Sequence, residues 1–461
     1  MNIQATSKDA YLLLHKGLLA LARAERQGMR IDVEYCQRKM IHLARKIKHL
    51  QSQFMESKLH AIWQRIYEKN VNLQSDPQLT KILYTIMKIK PTKLTDNGQG
   101  ATDEEALKQL GIPELEKLIE IRKLLKVRNT YLSAFEREQV NGILHPFFNL
   151  HTVITYRSSS QSPNFQNIPK KDAYSMKLCR QAIYARPGHY IFSIDYAGIE
   201  VRMACIYTED EKLIYDTLHG DMHKDMAIEL YMLNGLDKSH RGEKNLRQGG
   251  KNGFVFPEFY GDYYGNCAIG LLKWAEISEL KDGTPALAHL ANKGLITLNK
   301  EGVVKNSDKF IEHVKNVEDM FWNERYRTYN KWKNTWWNTY QKKGYFDMYT
   351  GFRCSGVMNK KDACNYPFQG SAFHCLLWSF IRADEVAYAE GWGSKLFGQI
   401  HDEMLLDTHP DELKMVSGRI QQIMCKELPE AWDWITVPLE VEADVCEVDR
   451  PWSEKKGYEL G

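Results

Sequence analysis

The run Tyr190–Arg202, YIFSIDYAGIEVR, restricts the fold more than any other stretch of the chain. Ile191, Phe192 and Ile194 are β-branched or aromatic and nearly continuous, the pattern of a strand buried on both faces. Asp195 ends that run and so stands at the end of a strand in a dry sheet. A carboxylate in such a place costs desolvation energy unless a cation or a well-placed partner meets it. Two readings stay open on these residues alone: Asp195 caps the helix that follows, or it ligates a metal ion.

Far downstream, Lys395–Asp407 reads KLFGQIHDEMLLD, two short apolar runs flanking His401, Asp402 and Glu403. That pattern predicts a hairpin with acids at its tip. If both segments lie in one sheet, Asp195 and Asp402 reach the same edge and can hold a pair of divalent ions roughly 3.5–4 Å apart, as phosphoryl transfer requires. DYAGIE and QIHDE resemble motifs A and C of family A DNA polymerases, the bacterial DNA polymerase I type, and they come in that order. The resemblance implies two magnesium ions, with manganese able to substitute, held by Asp195, Asp402 and the backbone carbonyl of Tyr196, with Glu403 assisting.

At 461 residues the chain suits two to four subdomains. A hydrophobic share of 43% says globular, and a formal charge of +3 neither demands nor excludes a nucleic-acid partner. The nine cysteines form no CxxC pair, so neither a zinc site nor a disulfide framework is expected. The N-terminus lacks the layout of a secretion signal, and no run approaches the ~18 apolar residues of a membrane span. A soluble, cytoplasmic protein without a membrane partner is expected, in a bacterial host if the chain is phage-encoded.

From Asp9 to about Leu83 apolar residues recur at helical spacing, which predicts a helical arm. LARAERQGMRID and the segment from Asn70 to Leu107 resemble the region that follows the exonuclease domain in family A polymerases and leads into the thumb. The resemblance therefore implies no intrinsic proofreading exonuclease, and a phage-like replicator with exonuclease or processivity factor supplied separately. Thr102 and Glu105 offer a capping box to the next helical stretch, which is broken at Gly111 and Pro113 and rich in Lys and Arg. On charge alone this is a solvated helix pair; the resemblance makes it the thumb.

Tyr156–Pro169, YRSSSQSPNFQNIP, has neither helical nor strand periodicity and reads as a polar loop. It is similar to the family signature RLSSxxPNLQNIP, which implies that Arg157, Asn164 and Gln166 contact primer and template. GDMHKDMA, from Gly220 to Ala227, is similar to DIHxxxA, which implies that His223 approaches an incoming triphosphate. Arg247 and Lys251 are four apart, so on a helix they share a face and both can meet phosphate oxygens. In the family's motif B, Arg, Lys, an aromatic and Tyr-Gly follow at four-residue steps. Here, in RQGGKNGFVFPEFYG, counting forward from Lys251 gives Val255 and Phe259, whereas counting back from Tyr260 gives Phe256. The halves are one residue out of step, which predicts a π-bulge or a kink at Pro257. Phe256 and Tyr260 are then the stacking pair, with Phe254 as the alternative.

Residues 271–316 resemble no family segment and read as a fingers insertion. Trp322, Trp332, Trp336 and Trp337 lie among basic residues in one helical run; core packing with snorkelling lysines is preferred there to single-strand binding. KKDACNYPFQGSAFH is similar to RxxxNxPxQGxxAD, so Lys361, Asn365 and Gln369 are assigned to the primer–template, as is His401. Phe373-His374 replaces the usual Ala-Asp, and Ala197-Gly198 the usual Ser-Gln. GYFDMYTGFR reads as sheet, and TVPLEVEADV with Trp452 as the strand that closes the palm.

The fold class implied is α+β, a right hand with an antiparallel-sheet palm, helical fingers and a helical thumb. Its parts are an N-terminal arm and thumb base at 1–100, thumb at 101–150, palm at 151–210, fingers at 211–343 and the second part of the palm at 344–461. The activity implied is DNA-templated extension of a primer with deoxynucleoside triphosphates. Asp195, Asp402 and Lys251 are catalytic, Arg247 and Lys251 neutralise the triphosphate, and Glu200, braced by Tyr260, excludes a ribose hydroxyl. Two other readings compete: a single-subunit RNA polymerase, and a primer–template-binding accessory protein that no longer catalyses.

Overall fold

In a computed structural model of the chain, which describes residues 5–95, 97–170 and 172–461, the apolar run Tyr190–Tyr196 is a strand. It is the middle of a five-stranded sheet ordered Lys395–Ile400, Glu403–Thr408, Tyr190–Tyr196, Val441–Val445 and Lys456–Tyr458. Every neighbouring pair is antiparallel. The expected hairpin and closing strand are both present, although Trp452 lies in a single helical turn, Trp452–Glu454, rather than in the strand. Ile191, Phe192 and Ile194 are buried, as a central strand covered on both faces requires.

Two long helices cover the sheet. Lys360–Ala389 runs 30 residues and buries most of its length. Ser7–Gln27 lies across both that helix and strand Lys395–Ile400. Gly17 allows the approach, since a Cβ there would meet Leu377 Cδ1 at 2.9 Å. Pro367 sits inside the long helix and cannot donate to the carbonyl four residues back, that of Ala363. The Trp336 indole supplies the missing donor at 2.9 Å, which fastens helix Arg327–Lys343 alongside.

A second, smaller core joins Phe54, Leu59, Trp63, Leu79 and Leu83 to Leu107, Leu115, Leu118 and Ile121. It is reached from the main body through helices Val33–Met55 and Pro113–Lys126. The expected Thr102–Glu105 capping box does not form. Asp103 caps instead, accepting from the Ala106 N–H at 3.1 Å, and its charge also suits a helix N-terminus. The polar stretch after Tyr156 is likewise more ordered than its composition predicts. Ser159–Gln161 pairs with Phe147–Asn149, and Phe165–Asn167 makes one helical turn.

Residues 271–316 carry the end of helix Tyr264–Glu276, helix Ala286–Asn292, a small hairpin and the start of helix Asp308–Met320. Trp322 is buried and Trp332, Trp336 and Trp337 pack partly buried against the core. Lys333 lies over the Trp322 ring, 3.0 Å from its centroid, so core packing is what the aromatic run does. All nine cysteines are free. No helix among the described residues is long and apolar enough to cross a membrane.

Candidate active site

The acids converge because strand register leaves them no choice. Asp195 is paired with Glu403 on one side and Glu442 on the other. Only His401 and Asp402 lie between the hairpin strands, and His401 takes a left-handed backbone, φ 59°, to close the turn. The Tyr196 N–H donates to the Asp402 carbonyl at 3.3 Å and the Ala197 N–H to the Glu440 carbonyl at 2.8 Å. The hairpin tip is thereby locked to the end of the central strand.

Charge is concentrated there. Burial, then the Glu403 and Asp402 carboxylates, push Asp195 up to about 7, and burial also raises Asp402. Burial would raise Glu403 too, but Lys455 and Lys170 outweigh it and hold its carboxyl below the usual range. Glu403 faces Lys455 Nζ at 3.0 Å, which also meets Asp444 at 2.7 Å and donates to the Ser193 hydroxyl at 3.5 Å. Asp195 and Asp402 line the cavity beside the sheet edge. Glu403 is instead bound to Lys455, so the third acid neutralises a half-buried cation.

That cavity measures about 480 Å³. Its far wall comes from Lys251, Phe256, Phe259 and Tyr260, on the helical run Arg241–Gly250, Lys251–Val255 and Phe256–Phe259, whose middle segment is a π-turn. The Phe256 N–H donates to the Lys251 carbonyl five residues back, so the extra residue is absorbed as the spacing predicted. Phe256 and Tyr260 then follow Lys251 on the cavity side. The Lys251 ammonium is 5.1 Å from the Phe256 ring centroid, and Phe256 and Tyr260 are 6.3 Å apart. Phe254 points the other way, buried edge-on against Phe321.

Tyr260 donates to Glu200 at 2.5 Å, and Arg157 stands 3.7 Å from the same carboxylate, so the expected brace is formed. Asn365 donates to the Tyr260 carbonyl at 3.1 Å. His223 is packed edge-on against Phe256 and carries a buried Nδ1 without a partner. Burial, then Lys251 and Arg247, bring it down to about 4. Arg247 is not free: it is paired with Asp221 at 2.9 Å, which Lys238 also holds at 2.6 Å.

A second groove, about 400 Å³, adjoins the first. Arg157, Gln369 and His401 line both, while Asn164 and Gln166 line only this one. Gln166 is buried and donates to Ser158 at 2.8 Å, and Asn164 accepts from Ser160 at 3.3 Å. Lys361 is exposed at the start of the long helix, its stem against Gly261.

The sequence model of DNA polymerase family A matches residues 42–453. The chain belongs to that family. The DNA polymerase I of Chloroflexus aurantiacus is 26% identical over 476 aligned residues, covering 98% of this chain and 44% of that polymerase. The DNA polymerase I of Lactococcus lactis subsp. lactis is 27% identical, covering 87% and 42%. The chain thus spans less than half the length of the curated relatives it matches. It also superposes with a TM-score of 0.71 on the solved polymerase domain of Pol1 from M. smegmatis in complex with DNA primer-template and dNTP. That likeness, at 23% identity over 95% of this chain and 70% of the other, is one of fold: the right hand of family A.

Four residues of this family A site were not assigned a role from the sequence: Glu442 and Lys455 lie outside any motif, whereas Asp221 and Arg202 stand inside quoted ones. Glu442 lines the cavity beside Asp195, and the alternation of Glu442 with Asp444 on one strand face was its only trace. Lys455 and Asp221 act through partners distant in sequence. Arg202 is buried, donates to the Ala197 carbonyl at 3.0 Å and pairs with Glu440 at 2.7 Å. It therefore pins the turn that leaves Asp195. The Phe373-His374 change is also explained. His374 is fully buried, bonded through Nδ1 to the Thr350 hydroxyl at 2.7 Å and stacked on Phe352 at 4.1 Å.

Proposed function

We propose that this chain extends a DNA primer on a DNA template with deoxynucleoside triphosphates. The observation that carries the reading is the pair Asp195 and Asp402, half-buried, locked together at the end of the central strand and facing Lys251 and the Phe256–Tyr260 pair across one cavity. The five-stranded sheet is then the palm, the helical run carrying Lys251 the fingers, and the second core the thumb.

The donor set suits hard divalent ions: two carboxylates, oxygen ligands only, which repel each other at close range until a cation joins them. Asp195 and Asp402, with the Tyr196 backbone carbonyl, would hold magnesium, or manganese in its place. Such ions supply neutralisation of phosphate charge and activation of the attacking hydroxyl. The remaining work falls to the chain itself. Lys251 and Arg247 neutralise the triphosphate, Arg247 exchanging its Asp221 partner for phosphate oxygens. Phe256 offers a face to the incoming base. Glu200, held by Tyr260, fills the space a 2′-hydroxyl would need. Arg157, Asn164, Gln166, Lys361, Asn365, Gln369 and His401 track primer and template along the adjoining groove, chiefly through groups common to all base pairs.

Primer extension with magnesium tests this. Wild type should extend with deoxynucleotides and not with ribonucleotides. Asp402→Ala should lower the rate at least a thousandfold, since charge stabilisation at the reacting phosphate is worth several kcal/mol. Extension with ribonucleotides alone would establish the RNA polymerase reading, and tight primer–template binding without extension the accessory one. A lane without nucleotides checks the expectation that this chain does not shorten the primer.

A further inference from the structure

Helix Arg327–Lys343 has seventeen residues and not one acid. Its tryptophans and Lys333 turn inward, leaving Arg327, Lys331, Asn334, Asn338 and Lys342 exposed at three- and four-residue steps. These fall on one face of the helix and span about 22 Å at 1.5 Å per residue. Among the described residues, no carboxylate lies within ion-pair distance of Arg327, Lys331, Lys342 or Lys343 (the ion pairs of the chain lie elsewhere, as at Lys46–Glu120 and Lys273–Glu105). An unpaired row of cations on a rigid helix invites a polyanion rather than an internal partner.

The row is continuous with the candidate active site. Lys360 at the start of the long helix donates to Asn334 at 2.8 Å, and Trp336 and Lys333 fasten the two helices at Ala363 and Cys364. One turn further along the long helix, Asn365 and Gln369 line the cavity. A strand leaving the cavity past Tyr260 and Lys361 would therefore meet Lys360 and reach the row at Asn334, its middle, with Lys331 and Arg327 on one side and Lys342 on the other.

We propose that this face is a track for single-stranded template, gripping phosphates of the unpaired 5′ overhang. The inference rests on the polymerase reading above. The aromatic rings are packed inside, so the contact is electrostatic and indifferent to sequence, unlike grooves where bases stack on exposed rings.

Binding of two primer–templates, measured across a salt series, separates the two ideas. One carries a single-nucleotide 5′ overhang and the other about twelve, enough to exceed the helix length at ~3.4 Å per nucleotide. The proteins compared are wild type and Arg327→Gln/Lys331→Gln/Lys342→Gln, the melting temperature confirming that the variant folds. Wild type should bind the long overhang more tightly, with a slope of log K against log salt steeper by about 1–2 than for the short one, since each phosphate contact to a single strand contributes ~0.7. The variant should lose that difference and bind the short overhang as wild type does. Equal binding of both overhangs by wild type overturns the track and leaves the polymerase reading standing, as does a variant that keeps the difference or is weakened equally on both. Failure of wild type to bind the short-overhang primer–template overturns both.

Discussion

His374 shows how a single side chain can be decided by burial. It is enclosed, bonded to Thr350 and stacked on Phe352, and burial brings it down to about 3 from 6.5. Between those values the unfolded chain binds a proton that the folded chain does not. The folded state therefore keeps its full advantage above about pH 6.5 and loses roughly 1.4 kcal/mol per pH unit as pH falls towards 3. His374→Gln keeps a hydrogen-bonding group near Thr350 but cannot titrate. Urea unfolding at pH 7 and pH 5 should show wild type losing about 2 kcal/mol more than the variant; equal losses would mean the ring is protonated in place. Nothing in the local sequence signalled this role, because an Ala-Asp to Phe-His change is read only against Thr350 and Phe352, which lie earlier in the chain. The same holds for Lys455 and Arg202. By contrast Asp195 and Asp402 were legible, since each ends an apolar run whose period is a property of a few neighbouring residues.

At the scale of elements, the π-turn Lys251–Val255 decides which aromatic faces the cavity. One residue turns a helix by about 100°, so without the bulge Phe256 would leave the cavity and Val255 would enter it. The broken four-residue step made this legible; which of Phe254 and Phe256 faces inward was not, because that depends on Phe321 being there to receive Phe254. The two rings should separate cleanly on substitution. Phe254→Ala is expected to cost about 3–5 kcal/mol of stability, as deletion of a buried ring does. Phe256→Ala should leave stability nearly unchanged and raise KM for the nucleotide more than tenfold, in line with about 1–3 kcal/mol for a stacked base. Thermal unfolding beside steady-state kinetics gives both numbers, and a reversed pattern would exchange the roles. Caps and short strands were less legible: Thr102 and Asp103 are both good caps, and Ser159–Gln161 becomes a strand only because Phe147–Asn149 lies beside it.

For the whole molecule, the class and four strands of the sheet follow from period and motif, whereas the fifth strand, Lys456–Tyr458, does not, nor does the separate core around Trp63, since its halves come from 54–83 and 107–121. That core is small and joined to the rest through two helices, so it should open at lower free energy than the sheet. Trp63→Ala is expected to remove about 3–5 kcal/mol locally. Hydrogen exchange should quicken across 54–121 while amides of Tyr190–Tyr196 and Glu403–Thr408 keep their protection; uniform loss would show one cooperative unit. The order of strands across the sheet has a consequence for synthesis. The central strand has its two neighbours at Glu403–Thr408 and Val441–Val445, while the helix that covers the outer hairpin strand is Ser7–Gln27. At ~5–20 residues per second, a nascent chain therefore carries the apolar face of that first helix uncovered for tens of seconds. The sheet which that helix covers cannot close until Lys456–Tyr458 has been made, so the pace of synthesis sets how long the apolar face stays open to wrong partners.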